Sequence, residues 1–276
     1  MKKQIFLIIF LVIILFTINY SFLDKKLENF LTDHETEIVE RVIDGDTIVI
    51  TPKGVPPNVL KGVSGGNKTS VRLLGINTPE KGEIYYSEAK EFLEEIILDK
   101  TIKLEFGKDK YDRYKRILAY VFFKGENINL KLVEEGFANF YFPSGKDSYY
   151  NDFKEAWEKC IENNKNLCEK SINICAECIE LKNFGSENQE MIFYNKCSFN
   201  CELTNWKIKD EGRKNFVFPK FILGAEKNIE IIVSKEDTVN NQDEIFWKRD
   251  TYVWTKSEDT LFLRDEKEKL VLWKNY

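Results

Sequence analysis

The chain has 276 residues, enough for one large domain or two ordinary ones, and its 43% hydrophobic residues can fill packed cores. Its formal net charge of −5 excludes a uniformly basic nucleic-acid-binding protein, so any site for a polyanion must be a local patch. The single histidine, His34, lies in a charged segment, which excludes most histidine-based chemistry, including a Ser-His-Asp arrangement.

Residues 1–23 have the pattern of a signal anchor or a signal peptide. Lys2 and Lys3 precede an apolar run over residues 5–18, and no small-residue cleavage site follows it. This flank favours an uncleaved anchor over a cleaved signal, and a buried globular helix is the third alternative. With the lysines in the cytoplasm, the rest of the chain would lie outside it, membrane-anchored or secreted. Residues 24–36 are charged and predict a short linker.

Six cysteines lie in the second half of the chain, at positions 160, 168, 175, 178, 197 and 201. An oxidising compartment predicts disulfides, with the pairing left open. The spacings Cys175-x2-Cys178 and Cys197-x3-Cys201 also approximate a four-thiolate zinc site. The predicted export makes structural zinc the less favoured of these two interpretations.

Residues 37–165 predict an α+β barrel domain, in which strands come first and helices pack across them. Alternating Val- and Ile-rich sequence predicts strand structure over 38–50, with Asp44-Gly45-Asp46 as a tight turn or bulge. A further strand starts at Val71 after a loop rich in Pro and Gly. Two further strands are expected over 101–106 and 117–123.

Three helices are expected in the same region. Ser87 is the predicted N-cap of a helix that ends near Leu98, and Asn127 is the predicted N-cap of a helix that ends at Gly136. An amphipathic helix over 149–163 completes the domain.

The rest of the chain has a different pattern of secondary-structure signals. Residues 166–175 are predicted to be a linker, and residues 176–276 contain short strands separated by turn residues, with few helix signals. Regular short strands of this kind predict an all-β sandwich as a second domain.

Polar side chains gather in three stretches: Asp44-Gly-Asp-Thr47, Val71-Arg-Leu-Leu-Gly-Ile-Asn-Thr-Pro-Glu80 and Asp112-Arg-Tyr-Lys-Arg116. Hydrolysis of a phosphodiester needs cations aimed at the non-bridging oxygens, oxygen ligands for a hard divalent cation, and a carboxylate for the attacking water. The chain supplies Arg72 and Arg116 as cations, Asp46, Asn77 and the Thr78 carbonyl as oxygen ligands, and Glu80 as the carboxylate. Each alone has an ordinary explanation as a turn former or a solvated charge, but their occurrence together favours a site.

These stretches resemble the staphylococcal nuclease (thermonuclease) family over about residues 37–159. The resemblance implies an OB-type barrel with three helices. It also implies that Arg72 and Arg116 bind the phosphate and that Glu80 orients or deprotonates the attacking water. Asp46 and the Thr78 carbonyl are implied as calcium ligands.

Asn77 departs from the family pattern, which usually has a second calcium-binding aspartate at this position. An amide oxygen can still bind calcium, but the site loses a full negative charge. We therefore expect weaker calcium binding.

Cationic and aromatic side chains near these motifs are candidate contacts to a nucleic acid. Non-specific phosphate contacts are expected from Lys108, Lys110, Arg113 and Lys115. Tyr85 and Tyr114 are candidates for stacking on bases, with core packing as the alternative.

The second domain carries a separate resemblance. Leu203-Thr-Asn-Trp-Lys-Ile-Lys-Asp210 and Asp259-Thr-Leu-Phe-Leu-Arg-Asp265 are similar to lamin-tail-type domains, which are immunoglobulin-like sandwiches. We find no catalytic constellation there, so a role in substrate or surface binding rests on architecture alone.

We therefore predict a calcium-dependent endonuclease that cleaves single- and double-stranded DNA and RNA with little sequence preference. The family resemblance implies 3′-phosphate ends. One alternative is a catalytically weak or inactive nucleic-acid-binding barrel, suggested by Asn77, and another is an anchored surface-binding module. Glu80 beside two arginines favours the enzyme, because a binding protein needs no carboxylate to activate water.

Overall fold

The computed structural model describes residues 34–52, 69–187, 189–236, 239–249, 251–256 and 259–276. The predicted signal anchor at residues 1–23 lies outside the described residues, as does most of the linker that follows it. Within the described ranges, none of the helices has the length and apolar character needed to cross a membrane.

The first domain is a closed β-barrel with three helices. Its elements are β1 (His34–Asp44), β2 (Thr47–Pro52), β3 (Thr69–Leu73), β4 (Ile76–Asn77), α1 (Tyr86–Ile97), β5 (Thr101–Tyr111), β6 (Ile117–Phe123), β7 (Glu126–Asn127), α2 (Ile128–Glu134), β8 (Asn139–Phe140), α3 (Tyr150–Asn163) and a 3-10 helix (Asn166–Cys168). The strand order is β3-β2-β1-β5-β6, and parallel pairing of β3 with β6 closes the barrel. The predicted OB-type barrel with three helices is confirmed.

Alternating apolar residues fill the barrel. Val39, Ile48 and Leu104 are fully buried from three neighbouring strands, and α1 covers one end with Leu93 and Ile97. Burial of each such side chain contributes about 1.5–3 kcal/mol. Alternation sets the inward face at the start of β5, whereas β3 and β6 each bury three consecutive residues.

Helix starts follow the sequence in one case and not in another. The Asn127 side chain accepts a hydrogen bond from the Leu130 N–H, which confirms the predicted cap of α2. The Ser87 prediction is wrong, because α1 begins at Tyr86, after Tyr85 in a left-handed conformation (φ 65°) with no side-chain cap. The sharp turn at Tyr85 starts this helix one residue before the predicted cap.

The second domain is all-β, as predicted. Its strands are β9 (Ile179–Gly185), β10 (Glu190–Asn195), β11 (Cys201–Glu202), β12 (Lys207–Lys209), β13 (Asn215–Val217), β14 (Ile222–Leu223), β15 (Asn228–Ser234), β16 (Glu244–Lys248), β17 (Thr260–Arg264) and β18 (Leu270–Asn275). Two four-stranded sheets, β16-β15-β10-β9 and β13-β12-β17-β18, share a core that includes Trp206 and Trp254.

All six cysteines form disulfides, in agreement with the favoured interpretation of the sequence. The pairs are Cys160–Cys168, Cys175–Cys201 and Cys178–Cys197. Since none of the six is free, the two spacings that suggested zinc hold disulfide sulfurs instead of thiolates.

The two domains pack directly on one another. Phe262 and Leu270 of the second domain belong to the hydrophobic core of the first. The Phe262 ring lies 5.3 Å from the Trp157 ring on α3, edge to face. The Ser171 N–H donates to the Leu270 carbonyl, so the predicted linker 166–175 itself contacts the second domain.

Candidate active site

The turn between β1 and β2 places Asp46 at the barrel mouth. Its backbone N–H donates to the Asp44 side chain at 3.2 Å, and the buried Asp46 carboxylate accepts a hydrogen bond from Thr47 at 3.0 Å. Gly45 lies so close to the next segment that a Cβ there would come within 2.9 Å of Thr78 Cγ2. The Asp-Gly-Asp sequence therefore reflects close packing as well as a turn.

The Arg72 side chain is held in the same network. It lies in β3 opposite Thr47, and its Nη2 is 3.0 Å from Asp46 Oδ2. Its guanidinium also donates to the carbonyls of Leu73 at 2.6 Å and Ile76 at 2.9 Å. These contacts use three of the five N–H donors of an arginine and fix the plane of the fork.

Thr78 joins this network from the segment after β4. Its backbone N–H and its hydroxyl both donate to Asp46 Oδ2, at 3.2 Å and 3.1 Å. Burial and the negative charge of Asp46 raise the pKa of Asp44 above its ordinary value. The structure thus brings together Asp46 from the first polar stretch with Arg72 and Thr78 from the second.

Asn77 lies beside Thr78 and is 2% exposed. Its Nδ2 donates at 2.8 Å to the carbonyl of Gly212, a residue of the second domain. A carboxylate could not make this bond, because it has no hydrogen to donate. The departure from the family pattern therefore coincides with a contact between the domains.

Glu80 follows on the loop between β4 and α1. Its carboxylate is 2.6 Å from Nε of Arg213, again from the second domain, and both side chains remain well exposed at 46% and 63%. Three residues on, Glu83 is 2.9 Å from Lys209 Nζ. Burial raises the pKa of Glu83, but the charge of Lys209 and a hydrogen bond from the Glu80 N–H outweigh it and lower the pKa overall.

Arg116 is positioned by the turn between β5 and β6. Its Nε lies 2.7 Å from Asp112 Oδ2, and Lys115 adopts a left-handed conformation that closes the turn. Burial raises the pKa of Asp112, but hydrogen bonds from Arg116 and Tyr114 outweigh it, so the pKa lies below its ordinary value. Ile117, the next residue, pairs with Val71, so Arg116 lies at the start of β6, next to the strand β3 that carries Arg72.

The predicted substrate contacts divide into two groups. Strand β5 extends to Tyr111, past the predicted end at residue 106, so Lys108 and Lys110 lie on the strand. In the following turn, Arg113 donates to the Tyr114 hydroxyl at 2.7 Å, and the Tyr114 ring is exposed.

Tyr85 lies in a different environment from the other candidates. Its hydroxyl donates to Glu169 at 3.4 Å, beside Lys269 of the second domain. This position is an interdomain contact.

The donor set around Asp46 fits a hard divalent cation by its chemistry. Asp46, the Asn77 amide oxygen and the Thr78 carbonyl are all oxygen donors, which calcium prefers. The set has a single carboxylate, which also pairs with Arg72. Among the described residues, no three His, Cys, Asp or Glu side chains form a metal cluster. The donors therefore suit a weakly held cation.

Sequence reasoning missed Arg213 and the two residues before it. They lie in a connection between β12 and β13, more than a hundred positions after Glu80, and their motif-free sequence gives no functional signal. Only the packing of the second domain brings them to the candidate site.

Comparisons with known proteins point to one family. The family model described as staphylococcal nuclease homologue matches residues 70–170. The thermonuclease of Staphylococcus intermedius is 31% identical over 142 residues, which cover 49% of this chain and 77% of that protein. The thermonuclease of Staphylococcus hyicus is 33% identical over 143 residues, with 49% and 76% covered.

A further relative, endonuclease YncB of Bacillus subtilis, is 33% identical over 144 residues, which cover 48% of this chain and 59% of that protein. The family model covers the barrel domain from β3 onward, including Arg72 and Thr78. From its fold, its site and these relatives, the chain belongs to the staphylococcal nuclease family, a family of phosphodiester hydrolases.

Proposed function

We propose that this protein is a calcium-dependent endonuclease that cleaves DNA and RNA with little sequence preference and leaves 3′-phosphate ends. The observation that carries the proposal is the buried network in which Asp46 contacts both Arg72 and Thr78 at the barrel mouth. In this network the Arg72 guanidinium is a fixed cation next to oxygen donors. Thr78, the last member of the network, precedes Glu80 by two residues in the chain.

Catalysis would rest mainly on electrostatic stabilisation. Negative charge builds on the non-bridging oxygens of the phosphate in the transition state, and preorganised cations bind those oxygens. Arg72 is held by carbonyls and Asp46, so its remaining donors need no reorganisation when the phosphate arrives. Arg116, oriented by Asp112, is the second cation.

Glu80 would position and deprotonate the attacking water. It is the exposed carboxylate of the loop that follows Thr78, and an exposed position allows water to reach it. The proton of the water passes to the Glu80 carboxylate as the water oxygen bonds to phosphorus. The bond from phosphorus to the 5′ oxygen breaks in the same step, and the leaving 5′ oxygen takes a proton from solvent, which leaves a 3′-phosphate and a 5′-hydroxyl.

Asp46, Asn77 and the Thr78 carbonyl would hold the cation, which when bound would offset negative charge on the phosphate. We expect weak affinity because the set has one carboxylate and because the Asn77 amide already binds Gly212. Structural zinc plays no part in the proposal.

Nucleic acid would be held by charge and stacking along one side of the barrel. Lys108, Lys110, Arg113 and Lys115 can neutralise phosphates of single- or double-stranded substrates, and Tyr114 offers an exposed ring to a base. None of these contacts reads a base edge, so little sequence preference is expected.

The proposed location is outside the cytoplasm, anchored to the membrane or secreted. The apolar sequence over residues 5–18 and three disulfides support it, since disulfides persist in oxidising compartments. The lamin-tail-like second domain would then face the exterior. A surface-binding role for that domain is compatible with the nuclease activity.

The second candidate function is nucleic-acid binding without cleavage. Asn77 favours it, because this residue donates to Gly212 where the family pattern has a carboxylate ligand for the metal. The same measurement separates the two functions.

The test incubates the full chain with single-stranded DNA while calcium is titrated, with EDTA as the metal-free control. We expect calcium-dependent cleavage whose products need phosphatase treatment before a polymerase can extend them. Cleavage should be lost in Arg116→Ala and retained in Arg249→Ala, an arginine on the second domain distant from the site in sequence. Binding without cleavage at saturating calcium would instead support the non-catalytic function.

A further inference from the structure

The 210–214 loop, Asp210 to Lys214, connects β12 to β13 and has a defined shape. The Asp210 N–H donates to the Lys214 carbonyl at 3.0 Å, and the Lys214 N–H donates back to Asp210 Oδ1 at 2.8 Å. Two bonds between its ends brace the loop, so its tip has one conformation to present to the barrel domain.

Two buried asparagines of the barrel domain hold the tip. Asn77 and Asn139 face each other across the β4–β8 pair. Their side-chain amides donate to consecutive carbonyls, Asn77 to Gly212 at 2.8 Å and Asn139 to Glu211 at 2.9 Å. Because these donors are buried, water does not readily replace the carbonyls as their partners. The loop is therefore held in place beside the candidate active site.

Arg213 follows directly after the anchored Gly212. Its Nε lies 2.6 Å from Glu80, while 63% of the side chain stays exposed. An exposed ion pair contributes little to stability, and the two asparagines already hold the loop. The position of Arg213 is therefore fixed by its backbone, and its guanidinium is free to exchange Glu80 for another anion.

We propose that Arg213 is a substrate-binding residue that the second domain contributes to the nuclease site. It binds a phosphate of the nucleic acid next to Glu80, as an addition to the cations of the barrel domain. A planar guanidinium on a pre-positioned loop suits this role, because a phosphate accepts two of its N–H groups without loop ordering. The inference rests on the proposed function, since it assigns a contact to the same substrate.

Asn77 has a second role in this arrangement. The residue that weakens the oxygen donor set is also the one that anchors the loop carrying Arg213. Loss of one negative charge and gain of one cation both favour a polyanionic substrate at this site.

The test measures binding of a fluorescent single-stranded oligodeoxynucleotide to the full chain in EDTA, so that no hydrolysis interferes. The proteins are wild type, Arg213→Ala, Arg213→Lys and Arg249→Ala as the matched control. Each phosphate contact to a single strand contributes about 0.7 to the slope of log K against log salt.

We expect Arg213→Ala to raise Kd roughly five- to tenfold and to flatten that slope by about 0.7. Arg213→Lys should keep the slope, because it keeps the charge, and Arg249→Ala should match wild type. A merely structural role for Arg213 would lower the melting temperature without changing the slope.

Unchanged Kd and slope in Arg213→Ala would overturn the inference, even if wild type cleaves DNA. A higher kcat in Arg213→Ala with unchanged Kd would also overturn it, since Arg213 would then mask Glu80. A wild type that binds but does not cleave, with Arg213→Ala binding more weakly, would refute the proposed hydrolysis and support the Arg213 contact.

Discussion

Asp210, in the 210–214 loop, makes the stability of the protein depend on pH because its carboxyl group is buried. Burial and the negative charge of Asp259 raise its pKa from 3.8 to about 6. Its Oδ1 accepts the Lys214 N–H, and its Oδ2 lies 3.8 Å from Lys214 Nζ, but these contacts do not offset the burial. Folding therefore favours the protonated form of this group.

The folded protein binds a proton at Asp210 more tightly than the unfolded chain does, so stability falls as pH rises through the interval between 3.8 and about 6. The contribution of this group to the free energy of unfolding should drop by roughly 3 kcal/mol across that interval. Asp210→Asn keeps the acceptor for Lys214 without a charge, so its unfolding should depend less on pH. Urea denaturation at several pH values measures the difference, and parallel curves for the two proteins would contradict this account.

At the same scale, the sequence indicated which residues would lie together but not their partners. Asp46, Arg72 and Thr78 do contact one another, and the catalytic and metal-binding roles of these residues, Asn77 and Glu80 stay predictions. The Asn77 bond to Gly212 spans 135 positions, and no local pattern encodes which carbonyl an amide will meet. The sequence therefore identified Asn77 as a departure from the family pattern, but it did not reveal that Asn77 binds the second domain.

Among the helices and strands, a boundary could be predicted from residue type where the side chain itself forms the bond that defines the boundary. Asn127 caps α2 through its own oxygen, so residue type is enough to predict it. The start of α1 instead depends on Tyr85 at φ 65°, a backbone conformation that tyrosine rarely adopts and sequence does not announce. The end of β5 was missed because pairing with β6 resumes at Tyr111, beyond the apolar residues.

These two helix starts give a matched pair of variants. Asn127→Ala removes the acceptor for the Leu130 N–H and should lower the free energy of unfolding by about 1 kcal/mol. Ser87→Ala should change it by less than about 0.5 kcal/mol, since α1 has no side-chain cap. Urea denaturation at one pH compares them, and equal destabilisation by both would show that Ser87 caps α1 after all.

For the whole molecule, the contact between the domains decides what the site contains. Phe262 of β17 is 2% exposed, packs on Trp157 and belongs to the barrel-domain core. The sequence predicted two domains and a linker, but it could not predict that the linker brings the second domain against the barrel mouth. Such a contact depends on surface complementarity across many residues, which periodicity does not report.

Phe262→Ala should destabilise the protein by roughly 3–5 kcal/mol, because it leaves a cavity where both domains contribute core residues. Differential scanning calorimetry should then resolve two transitions in place of one, as the domains lose their shared core. Phe199→Ala, at a position 39% exposed, is the control and should melt as wild type does. A single transition at the wild-type temperature in Phe262→Ala would show that the domains do not share a core.

In the proposed mechanism, Glu80 activates the water that attacks a phosphodiester. The most direct test is the single-turnover rate of single-stranded DNA cleavage by Glu80→Gln at saturating calcium, with Glu91→Gln, an exposed carboxylate of α1, as control. We predict a loss of about a hundredfold or more for Glu80→Gln and none for Glu91→Gln. A Glu80→Gln rate within about twofold of wild type would contradict the account, because general-base catalysis at this position would then be absent.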